Sequence, residues 1–266
     1  MVVELRERHA IGIKQQFHRR WRSYSTHFPF ILSAKYNTFN LLTEYAGLKV
    51  DAEFRVLKHF GPINLAIDIG SNWGQSIVAL KRFAKPARIV GYEPIPSLAK
   101  RLQRQYCDNP AIEIHHRALS DCDGALSIKV PYYRGCCMDG LSAIDEADIH
   151  SWLGNPDLFT PYDPSLLEIV PYDVVATTLD SYNLQPDIVK IDVQGAESLV
   201  VAGGDHTFRT CKPIAIIEAP SNDLVRFFTS IGMNPYSTDG RKIVPYDRPT
   251  KNVLFLDENW LNRFQP

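Results

Sequence analysis

Four acids sit at the ends of short apolar runs in this sequence: Asp68 in LAIDI, Glu93 after RIVGY, Asp192 after IVKI and Glu218 after PIAII. A carboxylate in such a place can accept paired hydrogen bonds from a cis-diol, take a proton as a general base, or hold a cation. In an open α/β sheet the ligand crevice lies at the carboxyl ends of the strands, so acids there converge on one crevice. Asp68 and Ile69 run into a tight turn, Gly70-Ser71-Asn72-Trp73-Gly74. Such a turn aims bare backbone N–H groups and a helix N-terminus at a ligand, and a glycine at position 70 leaves room for it. Glu93 follows the turn at about the 20-residue spacing at which an acid holds ribose hydroxyls in dinucleotide folds. That spacing favours an adenosine-containing ligand. Taken singly, each acid also reads as a helix cap or a solvated strand end.

The elements that must position these acids follow from periodicity. Leu65, Ala66, Ile67 and Ile69 form a strand buried on both faces, and Gln75–Phe83 resumes at helical spacing. Arg88–Glu93 is a second strand; Pro94 and Pro96 open the helix Ser97–Tyr106. Ala111–His116 is a third, with Ala125–Tyr132 joined to it through Asp123-Gly124 as a hairpin. Ser120 and Asp121 fall where a strand end would face the same crevice, although both residue types also favour plain turns. Ile169–Thr177, Ile188–Asp192 and Pro213–Glu218 are further strands. The helices Ala196–Ala202 and Leu224–Ile231 follow, and Lys251–Leu256 closes the chain as a final, antiparallel strand.

At 266 residues with 45% apolar content, the chain has material for one large α/β domain with an appendage. A net charge of −1 argues against nucleic acid as the main partner, because phosphate binding leaves a basic footprint. Five cysteines without a CxxC pair suggest neither a disulfide framework nor a zinc site. No stretch approaches the ~20 apolar residues of a membrane span, and no signal-peptide core opens the sequence, so the expected location is the cytoplasm. Residues 1–60 read as a helical arm and cap, containing the helices Asn37–Ala46 and Asp51–Phe60. The basic stripe of Met1–Arg22 fits packing on the domain or on a second copy of the chain, with a membrane surface or an acidic partner as alternatives. Residues 61–266 form the main domain. Within it 133–168, rich in aromatics (Trp152, Phe159, Tyr162), is an insertion that forms the acceptor wall.

The ordered set Ile67–Gly74, Tyr92-Glu93-Pro94, Ala118–Asp121, Thr178-Leu179-Asp180, Lys190–Glu197 and Lys212 through Glu218 resembles the FkbM-type S-adenosylmethionine-dependent methyltransferases. The resemblance runs from about Asp51 to Glu218. Gln194 stands where the family usually has Glu, and Met1–Val50 lies outside it. It implies a Rossmann-like class I methyltransferase fold: a mostly parallel seven-stranded sheet, last strand antiparallel, helices on both faces, and here an N-terminal helical arm. By motif position Asp68, Gly70, Ser71, Asn72 and Gly74 would hold the methionine part of S-adenosylmethionine and Glu93 the ribose. Ser120 and Asp121 would lie near the adenine, and Asp192 beside the sulfonium and the acceptor.

A hydroxyl acceptor is a poor nucleophile until it sheds its proton, so a base or a metal is needed. Asp192 is the first candidate base and Glu218 the second. Mg²⁺ or Mn²⁺ at these two acids is the alternative, disfavoured because no His/Asp cluster has ligand spacing. His115, His116, His150 and His206 are each more consistent with structural roles. The expectation is therefore an O-methyltransferase acting on a small-molecule or glycan hydroxyl, such as a sugar, a lipid-linked glycan or a polyketide-like compound. An N-methyltransferase and a catalytically silent S-adenosylmethionine-binding scaffold are the alternatives. A nicotinamide dehydrogenase is disfavoured, since Asn72 stands where GxGxxG requires its second glycine.

Overall fold

The computed structural model describes residues 29–156, 161–248 and 250–266; the predicted helix in Met1–Arg22 and Phe159 lie outside the described residues. The strands are β1 (Leu65–Ile69), β2 (Arg88–Tyr92), β3 (Ile112–His115), β4 (Ala118–Leu119), β5 (Gly124–Tyr133) and β6 (Cys136–Cys137). They continue with β7 (Leu167–Thr177), β8 (Ile188–Ile191), β9 (Ile214–Glu218), β10 (Asn234–Thr238), β11 (Ile243–Pro245) and β12 (Asn252–Leu256). The α-helices are α1 (Pro29–Leu41), α2 (Ala52–Arg55), α3 (Gln75–Phe83), α4 (Pro96–Tyr106), α5 (Glu146–Leu153), α6 (Glu197–Ala202), α7 (Asp205–Cys211), α8 (Asn222–Ser230) and α9 (Glu258–Arg263).

Among the described residues the main sheet has eight strands in the order β11-β10-β12-β9-β8-β1-β2-β3. The run from β3 to β9 is parallel, and β12, β10 and β11 are antiparallel to their neighbours. This is a doubly wound, Rossmann-like sheet. The chain builds outward from β1 to β3, then returns to the other side of β1 with β8, which creates a switch point between the two strands. Two expectations are corrected. The main sheet has eight strands rather than seven and three antiparallel strands rather than one, because β10 and β11 join it; the sequence hides these two since Pro235 and Pro245, which cannot donate to a ladder, sit inside them. And β5 is no hairpin partner of β3: it joins a second sheet of order β4-β7-β5-β6.

Strand alternation divides the core between the two faces of the main sheet. Ala66, Ile188, Ile214 and Leu254 pack with Leu57, Phe60, Ile77 and Leu80 on one face. Ile67, Ile69, Val189, Ile191 and Phe255 pack with Phe208 and Phe228 on the other. Ile67 and Ile191 are fully buried, each worth about 1.5–3 kcal/mol relative to exposure.

The described chain forms two compact units, the larger being Tyr36–Leu126 with Asp173–Pro266 and the smaller being centred on Ser127–Tyr172. In the smaller unit, Tyr133, Ala143, Ile149 and Leu153 form a core of their own, against which Met138, Trp152 and Tyr162 pack. The described aromatics of this insertion therefore serve first to hold it folded.

Candidate active site

All ten residues singled out from the sequence lie in the larger unit. Asp68 stands in register with Gly91 of β2 and Lys190 of β8. Two residues on, at the strand ends, come Asp192 after β8 and Glu218 on β9; with a side-chain period of two, Asp68, Lys190, Asp192 and Glu218 share one face.

Asp68 is wholly buried. Its Oδ2 accepts from Ser76 Oγ at 2.7 Å, and its Oδ1 has no hydrogen-bond donor among the described residues, lying 3.8 Å from Lys190 Nζ. Gly70 has φ +80°, and a Cβ there would fall 1.9 Å from the main-chain oxygen of Asp192. The glycine is required because two strand ends touch; its missing side chain faces protein, not the ligand space expected from the sequence. Ser71 is buried, with its Oγ donating to the Asp68 carbonyl at 3.1 Å, and Gly91 leaves that hydroxyl its space. Gly74, at φ +80°, caps α3 and meets Leu102.

Glu93 folds back on this turn. Its Oε2 accepts the Asn72 N–H at 2.6 Å and its Oε1 the Ile95 N–H at 2.8 Å. Asn72 itself is left-handed, at φ +47°. The acid at the end of β2 thus fixes the turn after β1, a partnership the sequence did not disclose. Trp73 is held between the Tyr36 ring, stacked at 5.2 Å, and the Arg101 guanidinium, 4.6 Å from its centroid.

At the ends of β8 and β9 two carboxyls meet. In the register of β8 on β9 Asp192 falls beside Glu218, where one carboxyl can donate to the other once it carries a proton, while Lys190 Nζ lies 3.2 Å from Asp192 Oδ2 and Gln194 Nε2 donates to Asp192 Oδ1 at 2.8 Å. Burial, the Asp192 charge and the hydrogen bond to Asp192 push the Glu218 carboxyl up to about 7, against the opposing pull of Lys251 and Lys190. Burial alone would raise Asp192 too, but the Lys190 charge and the bonds from Glu218 and Gln194 outweigh it and hold Asp192 down at about 2. Gln194 is the departure from the family pattern, and its amide donates where a carboxylate would repel. Both acids remain reachable, with side chains 30% and 23% exposed for Asp192 and Glu218. Lys251 Nζ reaches Glu218 Oε1 at 4.0 Å and Asp51 Oδ2 at 3.1 Å.

Ser120 and Asp121 form a separate group. Ser120 Oγ donates to Asp121 Oδ1 at 3.1 Å, its N–H donates to the Thr177 carbonyl, and its own carbonyl abuts Gly203. Glu197 accepts the Val193 and Gly195 N–H groups and so shapes the loop after β8. Three of the four histidines have side-chain partners of their own: His115 stacks on Tyr92 and pairs with Glu113, His150 pairs with Glu146, and His116 contacts the Pro94 carbonyl. Among the described residues no group of three His, Cys, Asp or Glu side chains is disposed to hold a metal, and no helix is long and apolar enough to cross a membrane. Sequence reasoning missed Lys190 as a member of the site. A lone lysine inside the apolar run IVKI, two residues before an acid, was the available signal.

No curated protein matched the chain's sequence. Among solved structures it is similar to a methyltransferase FkbM from Methylobacillus flagellatus, with 16% identity, 82% of this chain and 47% of that one covered, and a TM-score of 0.45. The chain thus spans about half the length of that protein. It is also similar to a precorrin-6y C5,15-methyltransferase from Geobacter metallireducens (13% identity, 77% and 84% covered, TM-score 0.37). A third likeness is to spermidine synthase from Thermotoga maritima (12% identity, 84% and 63% covered, TM-score 0.38). The model of the methyltransferase FkbM domain matches residues 68–232, from the end of β1 past α8 and over more than half of the sequence, and the chain belongs to that methyltransferase family.

Proposed function

We propose that the chain is an S-adenosylmethionine-dependent O-methyltransferase acting on a hydroxyl of a small molecule or glycan. The residues at the strand ends fit that cofactor. Carboxylates of Asp68, Glu93 and Asp192 suit its amino group, ribose hydroxyls and sulfonium charge, and Asp68 Oδ1 is buried without a hydrogen-bond donor among the described residues. In this reading the turn Asp68–Gly74 holds the methionine part, Glu93 the ribose, and Ser120 with Asp121 the adenine. The chemistry supplied by bound S-adenosylmethionine is an electrophilic methyl group on a positively charged sulfur.

The single observation that carries hydroxyl methylation is the Asp192–Glu218 pair. A general base works best when its pKa lies near the working pH. Glu218, pushed up to about 7, meets that condition, whereas Asp192 at about 2 is too weak a base. The order of the two candidates is thereby reversed: Glu218 takes the acceptor's proton, and Asp192 holds and orients it. Aligning the hydroxyl beside this pair and excluding water are the remaining tasks of the protein.

Parallel calorimetric titration with S-adenosylmethionine, S-adenosylhomocysteine and NAD tests the cofactor, and a panel of sugar, lipid-linked glycan and polyketide hydroxyls tests the acceptor. Both sulfur ligands should bind and NAD should not. Glu218→Gln should keep cofactor affinity within a few-fold and lower turnover about 100-fold or more. Binding of NAD in place of the sulfur ligands, or full turnover in Glu218→Gln, would sink the proposal.

A further inference from the structure

Lysine is an unusual residue inside a buried parallel strand, because removing an ammonium from water costs several kcal/mol unless opposite charges offset it. Lys190 occupies such a place in β8, between the fully buried Val189 and Ile191. Its Nζ lies 3.2 Å from Asp192 Oδ2 and 3.8 Å from Asp68 Oδ1, and donates to the Gly70 carbonyl at 3.3 Å. One ammonium therefore touches β1, the turn after it and the acid that follows β8. The charges facing it are Asp68 from β1, Asp192 beyond β8 and, more remotely, Glu218 from β9. Glu218 faces Asp192, Lys190 and Lys251, the last of these paired with Asp51.

We propose that Lys190 is a positioning residue that keeps the negative charge of the acid pair on Asp192, so that a proton taken up by the pair rests on Glu218. An ammonium in direct contact with one carboxylate of a hydrogen-bonded pair stabilises the ionised form of that member first. The proton accepted by the pair then goes to the partner, and Asp192 stays the hydrogen-bond acceptor. Without Lys190 the largest charge favouring an ionised Asp192 is gone, only the Gln194 amide still favours it, Lys251 still draws charge to Glu218, and Asp68 loses its ion partner as well. This inference rests on reading Glu218 as the base.

The test needs neither cofactor nor acceptor. The carboxyl carbons of Asp192 and Glu218 are followed by NMR in ¹³C-labelled protein from acid to mildly alkaline pH. In the wild type the upper titration step should appear on the Glu218 carbon, with Asp192 nearly flat through it. In Lys190→Gln and Lys190→Met about half or more of that step should move to the Asp192 carbon. A merely structural lysine would alter stability without changing which carbon carries the step. If the wild-type carbons share no upper step, the base reading and this inference both fall. If the step stays on Glu218 in folded variants, only the role of Lys190 is overturned. Should neither variant fold, the wild-type Lys190 side-chain nitrogen decides: its resonance should be protected from exchange and shift as the pair titrates, and indifference to that titration overturns the inference.

Discussion

A Cβ on Gly70 would lie only 1.9 Å from the main-chain oxygen of Asp192. The turn after β1 and the loop after β8 are thus in backbone contact at the switch point of the sheet. Gly70 also has φ +80°, so any side chain there meets both a steric and a conformational penalty. Gly70→Ala is expected to destabilise the protein by about 3 kcal/mol or more, combining strained backbone with overpacking. Urea denaturation measures this, and an unchanged midpoint would remove the contact from consideration. Gly70→Val should fail by misfolding, with loss of cofactor binding as a consequence.

Glu93 has two roles to separate. Its carboxylate accepts the N–H groups of Asn72 and Ile95, and in the proposed function it also holds the ribose. Glu93→Ala should weaken S-adenosylmethionine binding by about 1.5–3 kcal/mol, the range for hydrogen bonds to a charged group. The denaturation midpoint should fall as well, because two buried donors lose their acceptor. Calorimetry with unchanged affinity would take Glu93 out of the cofactor site.

Trp73 connects the turn to α1. It stacks on Tyr36, lies under Arg101, and its carbonyl accepts from Asn40 Nδ2 at 2.9 Å. Aromatic stacking and cation–π contact are each worth about 0.5–1.5 kcal/mol. Trp73→Ala should therefore raise amide exchange over Tyr36–Asn40 by about tenfold while leaving the β1 and β8 amides protected. Equal exchange in both proteins would show that the stack does not hold the helix.

The parallel strands and their acids were legible because burial on both faces writes continuous apolar runs, and because acids at the ends of such runs are conspicuous. What stayed hidden was everything decided by contact between distant segments. Nothing local in RIVGYE says that Glu93 reaches back to the Asn72 N–H, and nothing in IVKID says that Lys190 finds Asp68. Nor does the sequence say which of Asp192 and Glu218 lies nearer the ammonium, on which the proposed order of the two acids as bases depends. The strands β10 and β11 were masked by their prolines, which speak against strand by local rules.

The acid pair also makes stability depend on pH in a direction that ordinary carboxylates do not. The Glu218 carboxyl, ordinarily near 4.5, is pushed up to about 7 in the folded protein by burial and the Asp192 charge, so between these values the folded protein binds more protons than the unfolded chain. Stability must then fall as pH rises through that window, by up to about 3 kcal/mol less whatever solvent screening removes. Asp192 has the opposite sign, its folded pKa being depressed, but its contribution changes only below about 4 and is constant above. Comparing urea midpoints at about pH 5 and about pH 7.5 isolates the Glu218 term, provided the same comparison is made in Glu218→Gln. The glutamine amide can still donate to Asp192 but does not titrate. The variant should match the wild type at the lower pH, exceed it at the higher, and lose much of the slope between them. Identical slopes in the two proteins would mean that Glu218 is an ordinary carboxylate, and the case for it as the base would go with it.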